Sequence, residues 1–172
     1  MKTIQFPNEH LFPKLCEFID EGKSVTVNLK GNSMRPFLES DRDQGVLIKP
    51  KGVKKGDVVL AEISQGHYVL HRIDKILYGG DEISGMCDMP DCDVVLRGDG
   101  NPVGTELCKL QEVRAICSKL VRAGKEYDLS TSNTWKIYSW IWTRLLPVRR
   151  YLLAFYKLFW RGELPQRWKK NK

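Results

Sequence analysis

Histidine is scarce in this chain: His10, His67 and His71 are the only three in 172 residues. Acid–base chemistry near neutral pH therefore has few imidazoles to draw on. Cysteine is present as an odd set, Cys16, Cys87, Cys92, Cys108 and Cys117, with no C-x-x-C pair. Cys87 and Cys92 are separated by Asp-Met-Pro-Asp, a poor zinc knuckle without a second pair, so no metal site is expected. The pattern favours reduced, structural thiols in a reducing compartment, with a Cys87–Cys92 disulfide as the alternative. No run of uncharged apolar residues reaches the roughly 18 needed to span a bilayer. "MKTIQFPNEHLFPK" has acids and prolines early and no long apolar stretch, so neither a signal peptide nor a leading membrane anchor is expected. Internal repeats and low-complexity segments are also missing.

Charge is present but unevenly placed. The formal net charge is +7. Beyond Trp135, ten cations (Lys136, Arg144, Arg149, Arg150, Lys157, Arg161, Arg167, Lys169, Lys170 and Lys172) face one acid, Glu163. The body before Trp135 is close to balanced. Basic character confined to a tail does not define a nucleic-acid-binding domain, and no nucleic acid is expected as a partner.

Three parts are legible. Residues 1–22 hold "NEHLFPKLCEFIDEG", with Leu11, Leu15, Phe18 and Ile19 at helical spacing, Asn8 as a candidate cap and Gly22 as a stop. Residues 23–128 read as β structure. "SVTVNLK", "GVLIKP", "GDVVLAEI", "HYVLHRIDKIL", "DVVLRGD" and "VRAICSKLVRAG" are short β-rich runs separated by Gly, Pro and Asp clusters. Many short strands with such turns predict a mainly β domain, a coiled sheet or barrel. Residues 129–172 form a helical tail broken at Pro147. In its first helix Lys136, Ser139 and Thr143 share one face, opposite Ile137, Tyr138, Ile141, Trp142 and Leu145. In its second, Tyr151, Leu152, Phe155 and Phe159 form a stripe. Aromatic stripes rimmed by Lys and Arg suit a helix lying in a membrane interface, here over residues 135–161. They equally suit a helical hairpin packed on its own β domain; the charge excess favours the membrane surface.

Chemistry has few places to sit. "KGNSMRPFLESD" puts Ser33 in a turn, where Gly31 lets the backbone bend and Pro36 stiffens the exit. A serine hydroxyl is a weak nucleophile that needs a base, an oriented base, and donors for the oxyanion. His71 lies inside the strand run "YVLHRIDKI", where alternation with Val69 and Ile73 places it among apolar neighbours. "VVLRGDGNP" delivers Asp99 to a strand end between two glycines. Taken singly, each has an ordinary reading: a turn serine, a core histidine, a hairpin turn.

Together, in this order, they resemble the signal peptidase-like serine peptidases, a clan that includes the self-cleaving domains of SOS-type repressors. The likeness covers about residues 23–122. "GNSMRPFL" resembles the Ser-Met-x-Pro nucleophile box and "VKKGDVVLAEI" the Gly-Asp-Val-Val strand that follows. "YVLHRIDKI" falls where the family carries its base before an arginine, and "LRGDGN" resembles its Gly-Asp-x-Asn box. Histidine at the base position is the endoplasmic-reticulum and archaeal pattern; the lysine-base pattern is not met, since Lys75 is four residues off. The resemblance implies a coiled-sheet, barrel-like domain with the serine in a surface groove. It implies Ser33 as nucleophile, His71 as general base and Asp99 as the acid that orients or charges the site. Asn32 and Met34 belong to the nucleophile turn, and Arg72, Gly98 and Asn101 support it. Gly31 stands where many members have a serine that assists the oxyanion hole, so the hole here would rely on backbone N–H groups, with the Asn32 amide as a further candidate.

The implied activity is cleavage of an extended segment of a precursor protein or peptide, with no metal or organic cofactor. The expected location is the cytoplasm or the cytoplasmic face of a membrane. Two competing readings stay open, a non-catalytic peptide-binding module on the same fold and a membrane-surface adaptor working through the tail.

Overall fold

A computed structural model describes residues 8–29, 31–40, 42–101 and 103–159, the side chains of 8–10, 157 and 159 apart. The basic residues from Arg161 onward, the His10 side chain and the Asn8 cap lie outside this set.

The amphipathic segment near the N-terminus forms helix α1 (Asn8–Asp20), which buries Leu15 and Ile19. The strands are β1 (Val25–Asn28), β2 (Asp43–Ile48), β3 (Val53–Lys54), β4 (Val58–Ser64), β5 (His67–Tyr78), β6 (Asp81–Glu82), β7 (Met86–Cys87), β8 (Asp93–Arg97), β9 (Glu106–Lys109), β10 (Val113–Arg122) and β11 (Lys125–Asp128). Two helices, α2 (Asn133–Arg144) and α3 (Leu146–Phe159), follow. Pro147 sits in the first turn of α3, where its missing N–H costs nothing, so it separates the helices rather than kinking one.

The main sheet is antiparallel, in the order β1-β2-β10-β4-β5-β8-β9, with β11 on β10 and β6 on β5. A separate ribbon pairs β3 with β7. The β10–β11 hairpin turns through Ala123 and Gly124, both at positive φ (50° and 75°), the tight turn that matches strand twist.

β4 explains the near-continuous apolar run of "VVLA". Val58 and Leu60 face one core, Val59 and Ala61 the other. The first core gathers α1, Met34, Phe37 and Leu38 of the Ser33 turn, and Leu47, Ala115 and Leu120 of the sheet, with Trp135 and Tyr138 of α2 packed on it. The second gathers Ile73, Ile76, Val94, Leu96 and Cys108 under the β3–β7 ribbon. Each fully buried Leu or Ile contributes about 1.5–3 kcal/mol of hydrophobic stabilisation.

The expectation of a barrel-like sheet needs correction. Bulges at Val113/Ala115, Cys117/Lys119, Glu62/Ser64 and Ile73/Lys75 bend the strands. Yet no ladder joins β1 to β9 among the described residues, and the sheet stays open. Its two halves have separate covers, helices and the Ser33 turn on one, the short ribbon on the other. Their apolar faces are buried without closure.

The tail also differs from its helical-wheel reading. The side of α2 carrying Tyr138, Ser139 and Trp142 packs on the body, while Ile137, Trp140 and Ile141 are exposed. Ser139, expected on a polar face, is half-buried because it hydrogen-bonds the Gly56 carbonyl.

Candidate active site

Ser33 is exposed, while its neighbours Met34, Phe37 and Leu38 are almost fully buried. The turn is thus pinned by apolar anchors that leave the hydroxyl at the surface. Gly31, at φ 102°, begins it with a backbone that other residues rarely adopt, and the Arg35–Pro36 peptide is cis. Ser33 N–H and Met34 N–H make no hydrogen bond among the described residues, which leaves both free for a substrate carbonyl oxygen. Asn32 is exposed, and its carbonyl accepts from Arg35 N–H at 3.3 Å.

The Ser33 turn rests on the Gly98–Asn101 turn. Gly100 N–H donates to the Ser33 carbonyl at 2.7 Å. The approach is too close for any side chain. A Cβ on Gly98 would fall 2.4 Å from the Ser33 carbonyl oxygen and 3.2 Å from His71 Nε2, and one on Gly100 would fall 2.6 Å from the Asn32 carbonyl oxygen. The glycines around Asp99 are therefore contact surfaces for the serine turn, and Gly98 sits between Ser33 and the His71 ring. Asn101 folds the other way, its side-chain oxygen accepting from Val103 and Gly104 N–H.

His71 is buried on β5, a strand flanked by β4 and β8, so its position is set by two ladders. Its Nδ1 lies 2.6 Å from Glu106 Oε2. A carboxylate accepts, so Nδ1 donates, and Nε2 lies on the Gly98 side. No hydrogen bond joins Ser33 Oγ to the ring among the described residues. His67 and Lys75 are exposed.

Asp99 makes no hydrogen bond to His71 among the described residues. Its carboxylate takes two bonds from Arg72, Nε at 2.9 Å and a terminal nitrogen at 2.6 Å, with both side chains almost fully buried. Burial alone works against the Arg72 charge, but Asp99 more than offsets this and raises its pKa. Arg72 also donates to the Gly56 carbonyl and Ser139 Oγ, each at 2.8 Å, and stacks 4.6 Å from the Phe37 ring. All four sequence boxes thus meet at this one guanidinium: Phe37, Gly56, Arg72 itself and Asp99. Trp142 of α2 closes the cluster, its Nε1 donating to the Asp99 carbonyl at 3.2 Å.

The residues brought together are Ser33, His71 and Gly98, with Arg72 and Asp99 beneath as the brace. Glu106 is the functional candidate that sequence reading missed. It opens β9, a strand of four residues not recognised as one, and shares a strand face with buried Cys108. Its position opposite Leu96 is fixed by a hairpin loop whose register the sequence does not display. Among the described residues no group of three or more His, Cys, Asp or Glu side chains is arranged to hold a metal ion. Comparison with protein-family models, with curated proteins and with solved structures found no match.

Proposed function

We propose that this chain is a serine endopeptidase of the signal peptidase-like type, with its sheet a coiled, open version of that fold. The observation that carries the reading is the packing of Gly98 between the Ser33 turn and the Nε2 edge of His71, whose other nitrogen is held by Glu106. An exposed serine, a buried and oriented imidazole and free backbone N–H groups are the parts acyl transfer needs.

In this mechanism His71 Nε2 takes the Ser33 proton and Oγ attacks a peptide carbonyl carbon. The oxyanion is held by Ser33 and Met34 N–H. The C–N bond breaks, the amine leaves with the proton from His71, and an ester remains on Ser33. Water, deprotonated by His71, hydrolyses that ester and restores the hydroxyl. Glu106 holds the ring in the working tautomer and accommodates the imidazolium. Asp99 and Arg72 act one layer below, as positioning residues. The substrate is an extended segment of a precursor protein or peptide.

A peptide library read by mass spectrometry tests this against a non-catalytic binding module. For a peptidase, His71→Ala abolishes new cleavage products and still binds the peptides that wild type cuts. A binding module yields no products from either protein.

A further inference from the structure

Among the described residues, half of the exposed large apolar side chains lie on α2 and α3, between Ile137 and Leu158. On α2, Ile137, Trp140 and Ile141 project opposite to Tyr138 and Trp142, which hold the helix on the body. On α3, Leu153 and Arg149 are buried, while Tyr151, Leu152 and Phe155 are exposed, Tyr151 and Phe155 by 60% and 63%. A helix pair already anchored by one side does not need this second apolar side for folding. Cations rim it. Arg144 stacks 4.0 Å from the Trp140 ring, Arg150 stacks 4.5 Å from the Tyr151 ring, and Lys136 is exposed. From Leu129 to Phe159 the chain has five Lys and Arg and no Asp or Glu.

We propose that this face docks the protein on an anionic lipid bilayer, with α2 and α3 lying in the interface and no span. Charge selects the occupant. Two copies of a surface with cations and no acids repel each other, whereas anionic headgroups meet the Lys and Arg while acyl chains receive the Trp, Tyr and Phe rings. No helix among the described residues is long and apolar enough to cross a membrane, which fits a helix pair that lies flat. The docking face is independent of the Ser33–His71 chemistry, because α2 turns its opposite side to Arg72 and Asp99.

The test is cosedimentation of the full-length protein with vesicles of phosphatidylglycerol and phosphatidylcholine in equal parts, and with phosphatidylcholine alone. Wild type is expected to pellet with the anionic vesicles and to be released by salt. Trp140→Ser with Phe155→Ser is expected to weaken this at least about tenfold, since both rings leave the interface. Arg144→Glu with Arg150→Glu is expected to remove the preference for anionic over neutral vesicles. Melting temperatures of both variants are measured beside binding, so that a lost fold is told apart from a lost surface. Wild type that stays in the supernatant at low salt overturns the proposal. So does a Trp140→Ser, Phe155→Ser variant that binds as well as wild type. A solution dimer that this variant dissociates, without lipid binding, assigns the face to a second copy instead.

Discussion

Glu106 Oε2 lies 2.6 Å from His71 Nδ1, while the Asp99 carboxylate is committed to Arg72. Two acids near one site therefore have different partners, and mutation separates them. Glu106→Gln keeps the shape but removes the partner that stabilises an imidazolium, so kcat is expected to fall by about two to four orders of magnitude with little change in stability. Asp99→Asn leaves the buried Arg72 charge poorly paired, and stability is expected to fall by about 3–5 kcal/mol. Urea unfolding beside turnover of one cleavable peptide reads both.

Gly98→Ala places a methyl 2.4 Å from the Ser33 carbonyl oxygen, a backbone atom that cannot swing aside. The serine turn must shift off the 98–101 turn. Because misplacing a reacting group by about 1 Å costs about a hundredfold, kcat is expected to drop by at least that much. Gly66→Ala, where nothing lies within 4 Å but φ is 73°, is expected to cost about 1–2 kcal/mol of stability and to leave kcat at the wild-type value, which separates backbone strain from displacement of the serine turn.

The segment after Ser33 is tied down by Asp43, which accepts from Glu39 N–H at 2.9 Å and from Arg42 and Arg122. Burial pushes its carboxyl up, but those hydrogen bonds outweigh it and bring the pKa from 3.8 down to about 2. A depressed folded value means the stabilisation is complete above the ordinary carboxylate value and is lost as pH falls towards 2. The amount is about 2 kcal/mol. Urea midpoints measured across that range are expected to decline in wild type and to be flatter in Asp43→Asn, which is already less stable at neutral pH.

Thiol reactivity follows burial. Burial raises Cys92 to about 11 and Cys108 and Cys117 to about 12, and Cys87 is equally enclosed. Thiolate is the reactive form, so Cys92, Cys108 and Cys117 are expected to resist iodoacetamide in freshly reduced native protein, and Cys87 is expected to resist because the reagent cannot reach it. Cys16, only partly buried, is the one expected to react, slowly. Intact mass before and after denaturation counts the labels.

Much of this was legible before the structure. Val25 and Val27 announce β1, and the "GDVVLAEI", "YVLHRIDKI" and "DVVLRGD" runs became β4, β5 and β8, because period-two patterning and glycine turns report burial directly. Ser33, His71 and Gly98 lie near one another, a grouping that the resemblance implied and that patterning alone did not display. What stayed hidden depended on pairing across the chain. Glu106 meets His71 only through the β8–β9 register, and Asp99 leaves His71 because Arg72, its nearer partner, needs a buried counter-charge. The open sheet was equally unreadable, since closure is decided by whether β1 and β9 meet. In the tail, amphipathicity was visible, but both sides of α2 carry aromatic residues, so the sequence could not say which side faces the body.

The central claim is that Ser33 is a nucleophile, and Ser33→Ala is its most direct test. Ser33 is exposed and its hydroxyl supports no described contact, so the variant is expected to fold and melt like wild type. Both proteins are incubated with the same peptide library and new termini are counted by mass spectrometry. The account predicts discrete cleavage products with wild type and none above background with Ser33→Ala. Identical products from the two proteins would contradict it.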